Sequence, residues 1–202
     1  MLKKATQKKK DSVKGWHMMG LMHLKMDELL EAEKKKNGTQ MNEEGESQTK
    51  ALRSVHIFQA LFCFIKSVSS GTKNHLYFLE DCLKIMNILF NENEVTSLVD
   101  ELNKNYKMIP SDGLIDIIPQ IIGRLDMVER DNIQDMMKKL LIHIGVNHPQ
   151  AIIFYLVFLR KGKNDSRKKI ADDIYREIIK GVGKNMTQEF VNLYNETELI
   201  VN

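Results

Sequence analysis

Apolar residues recur along this chain at three- and four-residue steps, the spacing that gathers them on one side of a helix; no segment shows the strict alternation of a half-buried strand. A first helix is predicted from about Asp11 to Glu33, its stripe carried by Trp16, Met19, Leu21, Met22, Met26, Leu29 and Leu30. The period then fails over Lys34 to Lys50, where Asn37, Gly38, Gly45 and Ser47 sit among charged residues. That composition predicts a flexible connector. Ala51 to Val68 resumes helix and is apolar on several sides, since Ile57, Phe58, Leu61, Phe62, Phe64 and Ile65 cannot share one stripe, which predicts a central position. His75 to Phe90 follows, with Leu76, Leu79, Leu83, Met86 and Phe90 expected on a single face.

Further on, Asn93 is a candidate cap for a helix bearing Val95, Leu98, Val99 and Leu102, and Ile115, Ile118, Ile121, Ile122 and Leu125 define the next around Pro119. Ile133 to Ile144 predicts a sixth helix, and Pro149 opens a seventh, deeply buried one with Ile152, Phe154, Tyr155, Leu156 and Phe158. Ser166 and Thr187 are candidate caps for two more. Pro119 and Pro149 each remove a backbone donor, so each starts a helix or kinks one. The breaks fall at Ser69–Asn74, Asn91–Asn93, Tyr106–Ser111, Met127–Arg130 and Gly162–Ser166. Hairpins of roughly 30 to 40 residues result, the rhythm of stacked helical pairs. The predicted fold is therefore all-α, stacked antiparallel helical hairpins forming a HEAT/TPR-like α-solenoid, with a compact helical bundle as the alternative.

Composition supports helix: of 202 residues, 43% are hydrophobic and 28% charged, with three prolines and eleven glycines, too few for a loop-rich protein. The formal charge of +3 is concentrated in Lys3 to Lys14, so it implies no basic field over the whole protein and no nucleic-acid partner is expected. The block Arg160, Lys161, Lys163, Arg167, Lys168, Lys169 reads as a solvated loop between helices. Cys63 and Cys82 both lie in apolar helical patterns and suit buried thiols in a reducing compartment. The longest apolar run, Ala151 to Leu159, is too short to span a bilayer, and the basic N-terminus lacks a signal peptide's apolar core, so no membrane span is expected.

Candidate chemistry is sparse. Phosphoryl transfer needs a phosphate-covering loop, a nucleotide lysine, a catalytic aspartate and metal-holding groups, and none of those motif sets occurs; Gly181-Val182-Gly183 reads as a helix terminus. The six histidines, His17, His23, His56, His75, His143 and His148, form no His-Glu-x-x-His pair and no zinc spacing with the cysteines. His148, beside Pro149 at an expected helix start, is the one most suited to bonding backbone or a neighbouring repeat. No catalytic, cofactor-binding or metal-ligating residue is assigned.

Three phrases carry a family resemblance: Trp16-His17 in the first helix, Ile118-Pro119-Gln120 running on to Asp126, and His148-Pro149-Gln150-Ala151. In this order they resemble the end of the FAT region of target-of-rapamycin kinases, members of the phosphatidylinositol-kinase-related protein kinase family. Asn185-Met186 and Glu198-Leu199-Ile200 are similar to the passage from that region into the FKBP-rapamycin-binding bundle. The resemblance implies that 1–33 ends a TPR-like part, 34–50 is a linker and 51–202 is a HEAT-like part. Trp16, His17, Pro119, Gln120, His148, Pro149 and Gln150 would organise repeat packing. The implied function is a noncatalytic scaffold that supports the kinase domain of a serine/threonine kinase. The implied partners are that kinase domain, upstream helical repeats and the subunits of a TOR-like complex. ATP and a divalent metal would serve the parent kinase and not this segment. The implied location is cytoplasmic, with nuclear or endomembrane association through the complex. A freestanding helical-repeat adaptor is the alternative, and a binder of nucleic acid or anionic membrane through the two basic blocks is a third class.

Overall fold

The computed structural model describes residues 12–37, 43–70, 76–91, 96–125 and 131–200. Lys3–Lys10, Asp11, Asn93, Val95 and residues 38–42 lie outside this set, and with them the basic N-terminal run, one expected cap and the middle of the expected connector. All regular structure among the described residues is helical: α1 Val13–Asn37, α2 Glu43–Ser70, α3 Phe78–Asn91, α4 Thr96–Asn105, α5 Ile118–Arg124, α6 Asp131–Asn147, α7 Pro149–Lys161, α8 Asp165–Gly181 and α9 Lys184–Ile200. Two 3₁₀ turns, Tyr106–Met108 and Gly113–Ile117, precede α5. The chain forms two compact units, Met1–Asn105 and Tyr106–Asn202.

In the first unit α1 and α2 are antiparallel. Contacts climb one helix as they descend the other: Ser67 Oγ donates to the Val13 carbonyl at 3.5 Å, Trp16 meets Phe62, His23 meets His56, and Arg53 pairs with Asp27. Gly20 makes the approach close, because a Cβ there would fall within 2.6–2.9 Å of the Phe64 ring. The core is completed by Ala60, Leu61, Cys63, Phe64, Ile65 and Val68 of α2 with Phe78, Cys82, Ile85 and Leu89 of α3. α2 therefore holds the central place that its many-sided apolar pattern predicts. It is also long and apolar enough to cross a membrane by composition, a property missed when only uninterrupted apolar runs are counted. Its apolar side chains pack on α1, α3 and α4, and Arg53, His56, Lys66 and Ser67 interrupt them, as in a core helix.

In the second unit α6 to α9 pack pairwise, Gly145 of α6 lying under Ile178 of α8 and Ile152 of α7. Arg160 at the end of α7 reaches Asp172 of α8 (3.3 Å), Glu198 of α9 (3.9 Å) and the Tyr194 hydroxyl (3.4 Å). Tyr175 of α8 stacks on Phe190 and leans on Tyr194 of α9, with centroids 5.5 and 4.5 Å away. The three residues between α7 and α8 are enough only for a reversal of direction, which makes the pair a hairpin.

Several expectations are corrected. Of the connector expected over 34–50, residues 34–37 are the end of α1 and residues 43–50 the start of α2. Residues 43–50 are polar since that end of α2 is largely exposed, not because it is unstructured. On α3 the buried face is Phe78, Asp81, Cys82, Ile85, Met86, Ile88 and Leu89, while Leu76, Leu79 and Leu83 are exposed. Both sets have helical period, and packing selected the one containing Asp81. Phe154 and Phe158 of α7 are 55% and 56% exposed, so this helix buries only Ile152, Ile153, Leu156, Val157 and Leu159 beside Pro149. Asn164, not Ser166, caps α8: its Oδ1 accepts from the backbone N–H groups of Ser166 and Arg167. α9 starts at Lys184, and Thr187, one turn in, donates its hydroxyl to the Gly183 carbonyl. The basic block 160–169 is helix end and helix start, with Arg160 and Lys168 paired to Asp172 and Asp165.

The glycines give a direct test of this packing. Alanine ordinarily favours a helix over glycine by about 1 kcal/mol, but Gly20→Ala and Gly145→Ala should instead destabilise by about 1–3 kcal/mol, because each methyl meets a buried side chain. Gly123→Ala, where nothing lies within 4 Å, should be neutral or stabilising. Urea unfolding of the three variants measures the contrast, and equal effects at all three sites would refute the described packing.

Candidate functional site

Most of the residues singled out by sequence fall into two places. Trp16 and His17 stand on the first full turn of α1. The indole is half-buried and meets Phe62 edge-on at 6.0 Å. His17 is 3% exposed, and its Nδ1 lies 2.6 Å from Asp81 Oδ1 of α3, a carboxylate with no exposed surface. The Tyr77 ring stacks on the imidazole at 4.0 Å and 13°, and Phe64 flanks it at 6.5 Å. Asp81 was not identified from sequence. The available signal was an acid at 81 inside the periodic set Phe78, Cys82, Ile85, Leu89, where a carboxylate needs a partner to be buried.

His148, Pro149 and Gln150 form the corner between α6 and α7. Only His148 separates the two helices. Its backbone N–H bonds to the Ile144 carbonyl at 2.7 Å, closing α6, and Pro149 is the buried first residue of α7, where its missing N–H costs nothing. His148 Nε2 lies 3.2 Å from Ser111 Oγ, and one turn earlier His143 Nε2 donates to the Ile109 carbonyl at 3.2 Å. Two imidazoles from one helix end thus hold the segment 109–111, and Tyr106 packs edge-on against His143. Gln150 is exposed. Pro119 and Gln120 are exposed in the first turn of α5, while the neighbouring Ile118, Ile121 and Ile122 are buried. Both prolines open helices.

Neither place is arranged for bond chemistry. A nucleophile–imidazole pair such as Ser111 and His148 requires an acidic orienting group and oxyanion donors to act in acyl transfer, and the described contacts of this pair serve to fasten a corner. His17 and Asp81 are buried, with the Tyr77 and Phe64 rings against the imidazole. No group of three His, Cys, Asp or Glu positioned to hold a metal occurs among the described residues. Burial pushes the Cys63 thiol up to about 12, and burial with the nearby Asp81 charge raises that of Cys82 further, so both are protonated and poorly nucleophilic. At the surface, hydrogen bonding from Lys35, then the Arg53 charge, lowers the Glu31 carboxyl. The Tyr194 hydrogen bond raises Arg160, and burial raises Tyr194 and Tyr175. These are the electrostatics of packing.

No family model matches the chain. It is similar to the serine/threonine-protein kinase mTor of Drosophila melanogaster, at 26% identity over 174 residues, covering 83% of this chain and 7% of the relative. It is also similar to serine/threonine-protein kinase tor1 of Schizosaccharomyces pombe, at 27% over 62% of this chain and 5% of the relative. The serine/threonine-protein kinase TOR of rice, Oryza sativa subsp. japonica, shares 22% over 87% of this chain and 7% of the relative. The chain thus spans less than a tenth of the length of these curated relatives.

Three outcomes are expected. Asp81→Ala should destabilise by about 3–5 kcal/mol, the cost of stranding a buried partner, and Asp81→Asn by clearly less because an amide can still bond to the imidazole; a negligible loss in both would refute the buried pair. Ser111→Ala and His148→Ala should each cost about 1 kcal/mol, with a double variant less destabilised than their sum. Thiol reagents should label Cys63 and Cys82 in urea but not in the folded chain at neutral pH, as followed by mass spectrometry.

Proposed function

We propose that this chain, a target-of-rapamycin-like segment of a phosphatidylinositol-kinase-related kinase, acts as noncatalytic helical scaffold in the C-terminal part of the FAT region. In this reading the segment supports the orientation of a serine/threonine kinase domain and contributes to complex assembly, while ATP and divalent metal are handled by that domain. The observation that carries the reading is the similarity over 83–87% of the chain to kinases of this kind from an insect and a plant. An all-helical core whose best-placed polar groups fasten helices to one another supports a mechanical role. The partners in this reading are the kinase domain, upstream helical repeats and other subunits of the complex, and the location is cytoplasmic.

Rigidity is the property such a scaffold needs, and its source is specific. Removing or misplacing one partner of a buried hydrogen-bonded pair is costly, so the His17–Asp81 contact penalises any sliding of α1 along α3. The His148 corner fixes the angle at which α7 leaves α6 by tying it to the 109–111 segment. Trp16, His17, His148 and Pro149 are then positioning residues for packing, with no part in phosphoryl transfer. Half-exposed Phe154 and Phe158 also fit a freestanding adaptor that binds protein through α7.

Full-length sequencing of the coding RNA and an immunoblot against the 202-residue chain separate these readings. The scaffold reading expects a reading frame that continues into a kinase lobe, or a chain that co-purifies with one. A stable free polypeptide of 23.4 kDa with no kinase partner would overturn it in favour of the adaptor. The purified chain should show no ATP-dependent phosphotransfer, and turnover that follows the polypeptide through purification would contradict the assignment.

A further inference from the structure

We infer that His23 and His56 form a one-proton bridge that fastens α1 to α2 and is released on acidification. The two Nδ1 atoms lie 2.9 Å apart, with ring centroids at 5.2 Å and planes tilted by 42°, and both residues are half-buried. A nitrogen–nitrogen approach this short is a hydrogen bond and requires one donor and one acceptor. Two neutral imidazoles meet that requirement when one carries its proton on Nδ1 and the other on Nε2. One imidazolium with one neutral ring meets it as well, through a stronger charge-assisted bond. Two imidazoliums cannot, since both Nδ1 atoms then donate and two like charges face each other. The bridge accordingly survives the first proton and fails with the second.

The charged groups along the seam strengthen this asymmetry. From α1, Asp27 lies one turn beyond His23 and Glu31 one turn further; from α2, Arg53 lies one turn before His56. Arg53 holds both Asp27 oxygens, at 2.8 and 3.2 Å, and Glu31 at 3.2 Å, so these carboxylates are engaged by guanidinium. In the other direction His17 of α1 is paired with Asp81 of α3. Lys35 also pairs with Glu31, at 3.1 Å, so the two carboxylates are balanced by Arg53 and Lys35 and none is left to compensate a second imidazolium at the histidine pair. Histidine is the side chain whose charge changes in mildly acidic solution, so the second proton competes there. Because the unfolded chain takes that proton without repulsion, stability falls as pH falls through this range.

A double-mutant cycle on the full 202-residue chain tests the inference, using the unmutated protein, His23→Gln, His56→Gln and the double variant in urea unfolding at about pH 7.5 and about pH 5. The coupling between the two sites should favour the folded state by at least about twofold in the unfolding equilibrium constant at the higher pH, and should vanish or change sign at the lower. Coupling that is absent at neutral pH, or equal at both, overturns the proposal. Long-range proton–nitrogen NMR of the unmutated chain gives a reading independent of how the variants fold. At neutral pH one of the two rings should carry a proton on Nδ1 and the other an unprotonated Nδ1. Two rings in the same Nδ1 state overturn it.

Discussion

The antiparallel seam between α1 and α2 is the constraint on which the first unit depends, and polar groups set its register. A seam made only of methionine and leucine could slide by one turn at modest cost, because such side chains repack readily. Here three polar contacts along α1 must all be met together: His17 with Asp81, His23 with His56, and Asp27 with Arg53. A one-turn slip would break every one of them and strand a buried carboxylate. Gly20 adds a steric condition, since its missing Cβ is what lets the Phe64 ring come so close to the α1 backbone.

The second unit uses the same logic at a corner. One residue separates α6 from α7, and the turn is made by a proline that needs no donor and a histidine that closes the preceding helix with its own N–H. His143 and His148, both from the end of α6, then bind the irregular segment before α5 through a carbonyl and a hydroxyl. Arg160 does similar work at the far end of α7, where one guanidinium reaches groups of α8 and α9; its partial exposure makes each of those contacts individually modest. Among the described residues, His143, His148 and Arg160 thus serve to hold helices and turns in place.

Among the described residues, the order of the helices was legible in the sequence because a buried face imposes a 3.6-residue period that survives whatever the partner is. The prolines were legible as helix openers for the same local reason, and so were the buried thiols. Asn164 as the cap of α8 was missed in favour of Ser166, since both are good caps and only the hydrogen bonds distinguish them. The polar start of α2 was misread as a connector because polarity reports exposure, and exposed helix has the same composition as a linker.

What the sequence determined by itself is the class: a helical chain without a catalytic motif set, in which Trp16-His17, Pro119-Gln120 and His148-Pro149-Gln150 carry a resemblance. Which apolar stripe of α3 faces inward, that Phe154 and Phe158 face outward, and that His17 meets Asp81 and His23 meets His56 were decided by tertiary structure alone. The physical reason is that periodicity fixes which residues share a helix face, whereas the choice among competing faces, and the partner of each buried polar group, depends on side chains 64 and 33 residues away in the chain.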